Sequence, residues 1–521
     1  MNNQNINLPT LKRSGLTCYY METTHANTAS LLHLPGELLL CLLQYLDYDA
    51  LLALSITCRV MYQIIHETGW KDFCRATYRE TPSVAERWSS LTWRQRAKEA
   101  HLTNERWNAR MFVAKTLNSR WSQKHRPEIA LSRSRLAVAC GHAITTYRFG
   151  CVEHGIKSSV TLEGTFTVFP PVVGNDITGL SFIEDGGKDE SLLVSNCAGD
   201  LVRIRLPLNE PLYQLNIKDK RKQNFPAIKT AQYQIPRIPL GKIAAAGSEA
   251  LVLASEGSAF LVNPASPWKK PICTTIGTTA WAAHLELRSS TAYAAIGTSK
   301  NVVVHPVIHS SISSSPIAIL GGTKKDVPVY CVAQYLPGGS PDIIASGWYD
   351  GRARVHDLRC SIRAKDATSA SMNSPTPLEP VLTLADPWHP FDPVYSIASR
   401  AQIEDATARS KGSDQGMPHQ GSFLIAGSAI HSAISIWDVR QPSRSWSMFA
   451  PGKDWSPVYA LKAEGSRLWG ATQWRAFAID FAPDAPLTDY PWNREDTTSS
   501  EITYPHVAAQ RRNIVVDLDD S

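Results

Sequence analysis

Two sets of residues in this chain have types and spacings suited to recognition. The first lies in the run from Leu31 to Phe73, where Leu38, Leu42 and Leu46 form one i, i+4, i+8 row, Leu39 and Leu43 a second, and Leu40 falls outside both. A surface helix normally shows a single apolar stripe. The surplus calls for a partner. The second set is aromatic and basic: Trp348, Tyr349, Arg352, His431, Gln473, Trp474 and Arg475, with Trp388 and Trp455 close by in sequence. Tryptophan and arginine are favoured interface anchors, and arginine can clamp a phosphate or carboxylate with paired hydrogen bonds. A protein substrate, phosphorylated forms included, is the expected ligand of this second set.

Chemistry of other kinds is not signalled. The sequence contains no glycine-rich phosphate loop, HExxH, GxSxG or kinase signature. His142, His389 and His431 stand apart from one another, and the ten cysteines are scattered without a CxxC pair. No metal or cofactor is therefore expected, and the chain reads as non-catalytic. Dispersed cysteines suit free thiols in a reducing compartment, which points to the cytoplasm or nucleus. The first thirty residues are polar and lack a secretory pattern. Gln44, Asp47 and Asp49 interrupt the leucine run before the roughly 20 apolar residues that a membrane span requires.

The elements that must present the leucines are short helices. Pro35 suits a first helical position and Glu37 complements the positive end of the helix dipole. Asp47 and Asp49 offer N-caps for a second helix over 50–58, and a third, roughly 59–67, leads to Trp70. Three helices on about forty residues form too small a core to stand alone comfortably. The pattern Leu34-Pro35-x-Glu37-Leu38, Leu42, Tyr45-Leu46-Asp47, Leu51, Leu54, Cys58-Arg59 and Trp70 closely resembles the F-box. F-boxes attach substrate receptors to the Skp-type adaptor of cullin-based ubiquitin ligases. The resemblance implies adaptor contacts through Leu34, Pro35, Glu37, Leu38, Leu42, Tyr45, Leu46, Leu51, Leu54, Cys58, Arg59 and Trp70.

The aromatic and basic set belongs to a repeat. Pro328-Val329-Tyr330, Pro393-Val394-Tyr395 and Pro457-Val458-Tyr459 begin 65 and 64 residues apart, and each is followed by a glycine-bearing apolar strand, a turn and an alternating strand. Weaker strand-turn-strand copies lie at 136–149, 192–206, 250–262 and 291–305, making seven candidates. Repeated units of several strands predict propeller blades, since closing a ring removes exposed edges. Trp437-Asp438, with His356-Asp357 as a near match, resembles the WD-repeat signature. The expected fold is thus a small all-α F-box domain and helical linker followed by an all-β propeller of about seven divergent WD-type blades. The expected boundaries are a disordered 1–30, the F-box at 31–75, a Trp/Arg-rich linker at 76–126, the propeller at 127–483 with polar insertions near 362–380 and 402–420, and a mostly disordered tail at 484–521.

Between residues 71 and 126 lysine and arginine outnumber acidic residues 13 to 5, although the whole chain carries only +6. Interleaved arginine and tryptophan (Arg87, Trp88, Trp93, Arg94, Arg96, Arg106, Trp107, Arg110, Trp121) suit nucleic acid. They suit equally a helix anchored on a neighbouring domain, with arginine stems over apolar surface. Anchoring is the favoured reading. The resemblance to F-box and WD-repeat proteins implies a substrate-recognition subunit that binds adaptor and, through it, a cullin. The alternatives are a scaffold that binds adaptor without ubiquitylation, or a propeller that binds RNA through the basic linker.

Overall fold

The computed structural model describes residues 31–77 apart from 32, 33 and 44, then 91–149, 160–206, and 224–491 apart from 322–325, 335–339, 361–376, 401–422, 440, 444, 453 and 486–489. The expectations for 1–30, for Arg87 and Trp88, for most of the 362–380 insertion and all of the 402–420 insertion, and for nearly all of the tail lie outside these residues.

The helical part contains α1 (Gly36–Leu43), α2 (Tyr48–Ser55), α3 (Arg59–Ile64), a π-helical turn (Ile65–Gly69) and α4 (Trp70–Thr77). Asp47 caps α2 by accepting the Ala50 amide at 2.8 Å. Cys58 caps α3 through its sulfur, which accepts the Met61 amide at 3.5 Å. A fifth helix, α5 (Trp93–Ala109), starts with a reciprocal capping box between Thr92 and Gln95 and ends at Arg110, which takes the left-handed conformation at φ 61°.

The remainder is a seven-bladed propeller of antiparallel sheets. Each of the seven strand-turn-strand repeats in the sequence lies on the second and third strands of one blade. The recurring Pro-Val-Tyr has a packing reason. A Cβ on Gly347 of blade 5 would come within 2.5 Å of Val394 Cγ1, and one on Gly427 of blade 6 within 2.7 Å of Val458 Cγ1. The valine that opens blades 6 and 7 thus packs where the preceding blade has only a glycine, and this close approach welds neighbouring blades.

Blade 7 combines the last three strands, Val458–Glu464, Arg467–Thr472 and Ala476–Asp480, with Val113–Thr116 as its outermost strand. The segment expected as a helical linker therefore contains both a helix and the strand that closes the ring. A second departure is at blade 1, whose edge gains Asn224–Pro226 in parallel pairing with Val160–Thr167. The end of the expected 362–380 insertion is anchored: Leu378 is buried, and its amide donates to the Ile319 carbonyl at 2.8 Å. Among the described residues no helix is long and apolar enough to cross a membrane.

Candidate interaction surfaces

The propeller has two unlike ends. One, the open end, carries the turns between second and third strands and the blade-to-blade connections; the other receives α5 and is where the chain departs into 150–159, 207–223, 361–376 and 401–422. At the open end the second residue of several innermost strands is an unpaired bulge residue. Val329 pairs with Trp348 and Cys331 with Gly347, leaving Tyr330 between them; Trp281, Tyr395 and Tyr459 are set out in the same way. A bulge bends a strand and re-aims its side chain. The four rings form a continuous arc at the channel mouth, with centroids 5.4 Å (Trp281–Tyr330), 4.7 Å (Tyr330–Tyr395) and 5.6 Å (Tyr395–Tyr459) apart. Tyr349 joins Tyr330 edge-on at 6.0 Å. Burial holds the Tyr330 and Tyr395 hydroxyls above the ordinary phenol range, and the charge of nearby Arg126 acts against that shift.

Farther out, the ring of His431 stacks on His389 at 4.0 Å, keeps Nδ1 at 2.9 Å from the buried Asp392 carboxylate, and meets the edge of Trp455 at 5.9 Å. Trp455 is 78% exposed, and Trp388, Phe391 and Ile430 are exposed beside it. Of the residues expected to bind substrate, Tyr349 is exposed, Arg352 and His431 are half-buried, and half-buried Trp474 lies under the Arg120 guanidinium at 3.8 Å. Two expectations are corrected. Trp348 is 0% exposed, donates its indole N–H to Ser346 Oγ at 2.9 Å and packs under Arg354, so it is a core residue. Arg475 is buried and committed to Asp454 at 2.7 Å. The arc of Trp281, Tyr330, Tyr395 and Tyr459 was not among the expected contacts. Its signal was the recurrence of tyrosine at one register of successive repeats.

On the helical side, α1 splits its leucines between two faces. Leu39 is 3% exposed and Leu43 is buried, whereas Leu38 is 54% exposed and Leu42 is also exposed. The outward row continues through exposed Tyr45, Ile56 and Val60. Leu34, Pro35, Glu37, Cys58 and Arg59 are exposed as well, and Leu46 and Leu54 are half-buried. Leu51 and Trp70, expected as adaptor contacts, are corrected: they are 0% and 2% exposed, and Trp70 packs against Tyr48 and Phe73 with ring centroids 5.4 and 6.2 Å away. They hold the surface up from beneath.

Residues 31–76 match the family described as F-box-like. No curated protein matches the chain. The F-box-like domain does not hang from a loose tether, because α5 is packed at both ends. Near its start Ala97 and Ala100 enter the domain's core, and the His101 ring stacks on Tyr48 at 4.7 Å. At its far end Trp107 is stacked between Phe481, 3.6 Å away, and Phe423, 5.3 Å away, beneath the Arg400 guanidinium. Arg400 also donates to Asn104 Oδ1 at 2.6 Å, and Arg106 donates to the Ala482 carbonyl at 2.7 Å. Trp93 lies under Arg96 at 4.4 Å, and the Trp121 amide donates to the Trp474 carbonyl at 2.9 Å. The described tryptophans of this basic stretch are thus engaged within the fold.

Proposed function

We propose that this protein is a substrate receptor of a cullin-type ubiquitin ligase. The outward face of the F-box-like domain, centred on Leu38, Leu42 and Tyr45, docks on a Skp-type adaptor, while the open end of the propeller selects a protein client. The single observation carrying this reading is the apolar row on α1, which is displaced by one residue from the core row and has nothing of this chain covering it among the described residues. The F-box-like domain and the open end are joined by a helix packed at both ends, an arrangement that fixes the client's distance from the ligase. Catalysis by proximity then needs no acid or base from this chain, since holding a lysine near a charged ubiquitin carrier raises its effective concentration.

The order of F-box, Arg/Trp-rich connection and divergent propeller, with Trp437-Asp438 as the clearest WD-type dipeptide, is similar to that of dactylin, an animal F-box and WD-repeat protein. Co-purification of adaptor and cullin with the full chain tests the proposal. Recovery of the adaptor should be lost in the double variant Leu38→Ala with Leu42→Ala and kept in a Trp388→Ala variant. Undiminished adaptor recovery from the double variant would sink the assigned interface, and adaptor recovered without any cullin would favour a scaffold.

A further inference from the structure

Outside the tyrosine arc, the open end of blades 5, 6 and 7 holds four large apolar side chains out into solvent. Trp388 and Phe391 lie on the connection from blade 5 to blade 6, Ile430 on the turn between the second and third strands of blade 6, and Trp455 on the connection from blade 6 to blade 7; each is more than half exposed. Exposed apolar groups gathered in one place mark interaction sites, whereas scattered ones need no explanation. Here the backbone that carries them is fixed. Buried Asp386 accepts the Trp388 and His389 amides at 2.8 and 2.7 Å, and buried Asp392 accepts the Ile430 and His431 amides at 2.9 and 3.2 Å. The Ser456 amide, next to Trp455, donates to Ser432 Oγ at 2.7 Å, and Ser432 itself holds a left-handed conformation at φ 55° that few non-glycine residues take. The stacked rings of His389 and His431 join the three segments, the second of them meeting Trp455 edge-on.

Burying a carboxylate is costly unless hydrogen bonds compensate it, and these two are used to hold loops whose large side chains stay outside the core. A surface fixed in advance loses little freedom when a partner covers it. The charges of the sector are also closed on one another, Asp392 on His431 at 2.9 Å and Asp454 on Arg475 at 2.7 Å. What is left to offer is apolar area. We propose that this off-axis sector is the docking site for a client segment that presents large apolar side chains, such as leucine, phenylalanine or methionine, and needs no charge of its own. The inference rests on the reading of the open end as the client-selecting face and names the chemistry which that face selects.

The test uses the full chain and a random peptide library displayed on phage, with the double variant Phe391→Ala and Trp455→Ala as the counter-selection target. Both side chains are exposed, so the double variant should melt with the native protein; should it melt early, Trp388→Ala made singly takes its place. Peptides enriched on the native chain should share large apolar residues, and their affinity, read by fluorescence anisotropy, should hold as sodium chloride is raised. Trp455→Ala alone should weaken binding by about tenfold or more, the loss expected for a central aromatic anchor, whereas Tyr395→Phe at the channel mouth should leave it unchanged. Charged peptides whose binding falls with salt, or no enrichment over the counter-selection target, overturn the site. So does a concentration-dependent dimer that the variant abolishes, which makes a second copy the occupant, or variant-sensitive capture by neutral phosphatidylcholine vesicles, which makes it a lipid surface. None of these readouts involves the adaptor, so failure of this site and failure of the receptor reading are told apart.

Discussion

The F-box-like domain and the open end of the propeller both show apolar side chains to solvent, but they hold them in opposite ways. In the domain, outward face and core share one short helix, one residue out of phase: Leu38 and Leu42 point out, Leu39 and Leu43 in. In the propeller, the exposed rings sit on turns, connections and bulges, while the core lies in the second and third strands between blades. The first design ties the outward face to the core, because any drift in helix phase moves both. The second frees the surface, since a turn residue such as Trp455 can change with little consequence for the strands beneath it.

That contrast can be broken by substitution. Trp70→Ala removes a nearly unexposed ring from the domain's core and should cost about 3–5 kcal/mol there, read as lost helical signal and lost amide protection over 36–77. Trp107→Ala should cost a similar amount, but read as early unfolding of blades 6 and 7, whose Phe423 and Phe481 it bridges. If instead the propeller melts as before, α5 is not the weld between the two parts.

Ring closure gives the next effect. Lys115→Pro puts a residue without an amide proton into the closing strand, opposite Ala478, and should destabilise the propeller by about 3 kcal/mol or less, since this is an edge strand. Native-state hydrogen exchange of Ala476–Asp480 reads it directly.

A smaller effect comes from acid. His356 is fully buried, neither ring nitrogen has a hydrogen-bond partner among the described residues, and burial pulls its pKa down to about 3. The unfolded chain therefore binds this proton between pH about 6.5 and about 3 while the folded chain does not. Stability is fully present above pH about 6.5 and falls as pH drops, by about 1.4 kcal/mol per unit for this group. His356→Phe should flatten that slope between pH 6.5 and 5 in urea titrations, and an unchanged slope would assign the acid sensitivity elsewhere.

Smallest in stability and largest in binding is Leu38→Ala with Leu42→Ala, which should shift unfolding by about 0.5 kcal/mol or less per site while abolishing adaptor recovery. Melting lowered as much as by Trp70→Ala would show that both rows of α1 are core, and the contrast between the two regions would collapse.

Legibility followed the same division. The two leucine rows of α1 were visible because helical period separates them, yet which row faces outward was not, since that depends on where α3, the π-helical turn and α4 lie. Leu51 and Trp70 were expected as contacts because the F-box resemblance names positions of the motif without separating those that face outward from those that fill the core. In the propeller the second and third strands were readable from alternation and the glycine turn between them. The closing strand was not, because Val113–Thr116 is short and its partner Ala476–Asp480 comes at the other end of the propeller. Trp348 looked like a surface anchor beside its turn, but the strand Ile343–Trp348 is buried on both faces up to its last residue, and Ser346 and Arg354 take the ring's polar edge and face.

The closing strand also sets an order of events during synthesis. Val113–Thr116 leaves the ribosome more than 350 residues before Ala476–Asp480, the strand it must pair with. At about 5–20 residues per second that is a wait on the order of 20–70 s, during which the F-box-like domain can fold but the propeller edge beside it is open. An open edge pairs with whatever strand it meets. Under the function proposed above, a chain that docks on an adaptor during this interval would hold its unfinished propeller beside the ubiquitin ligase.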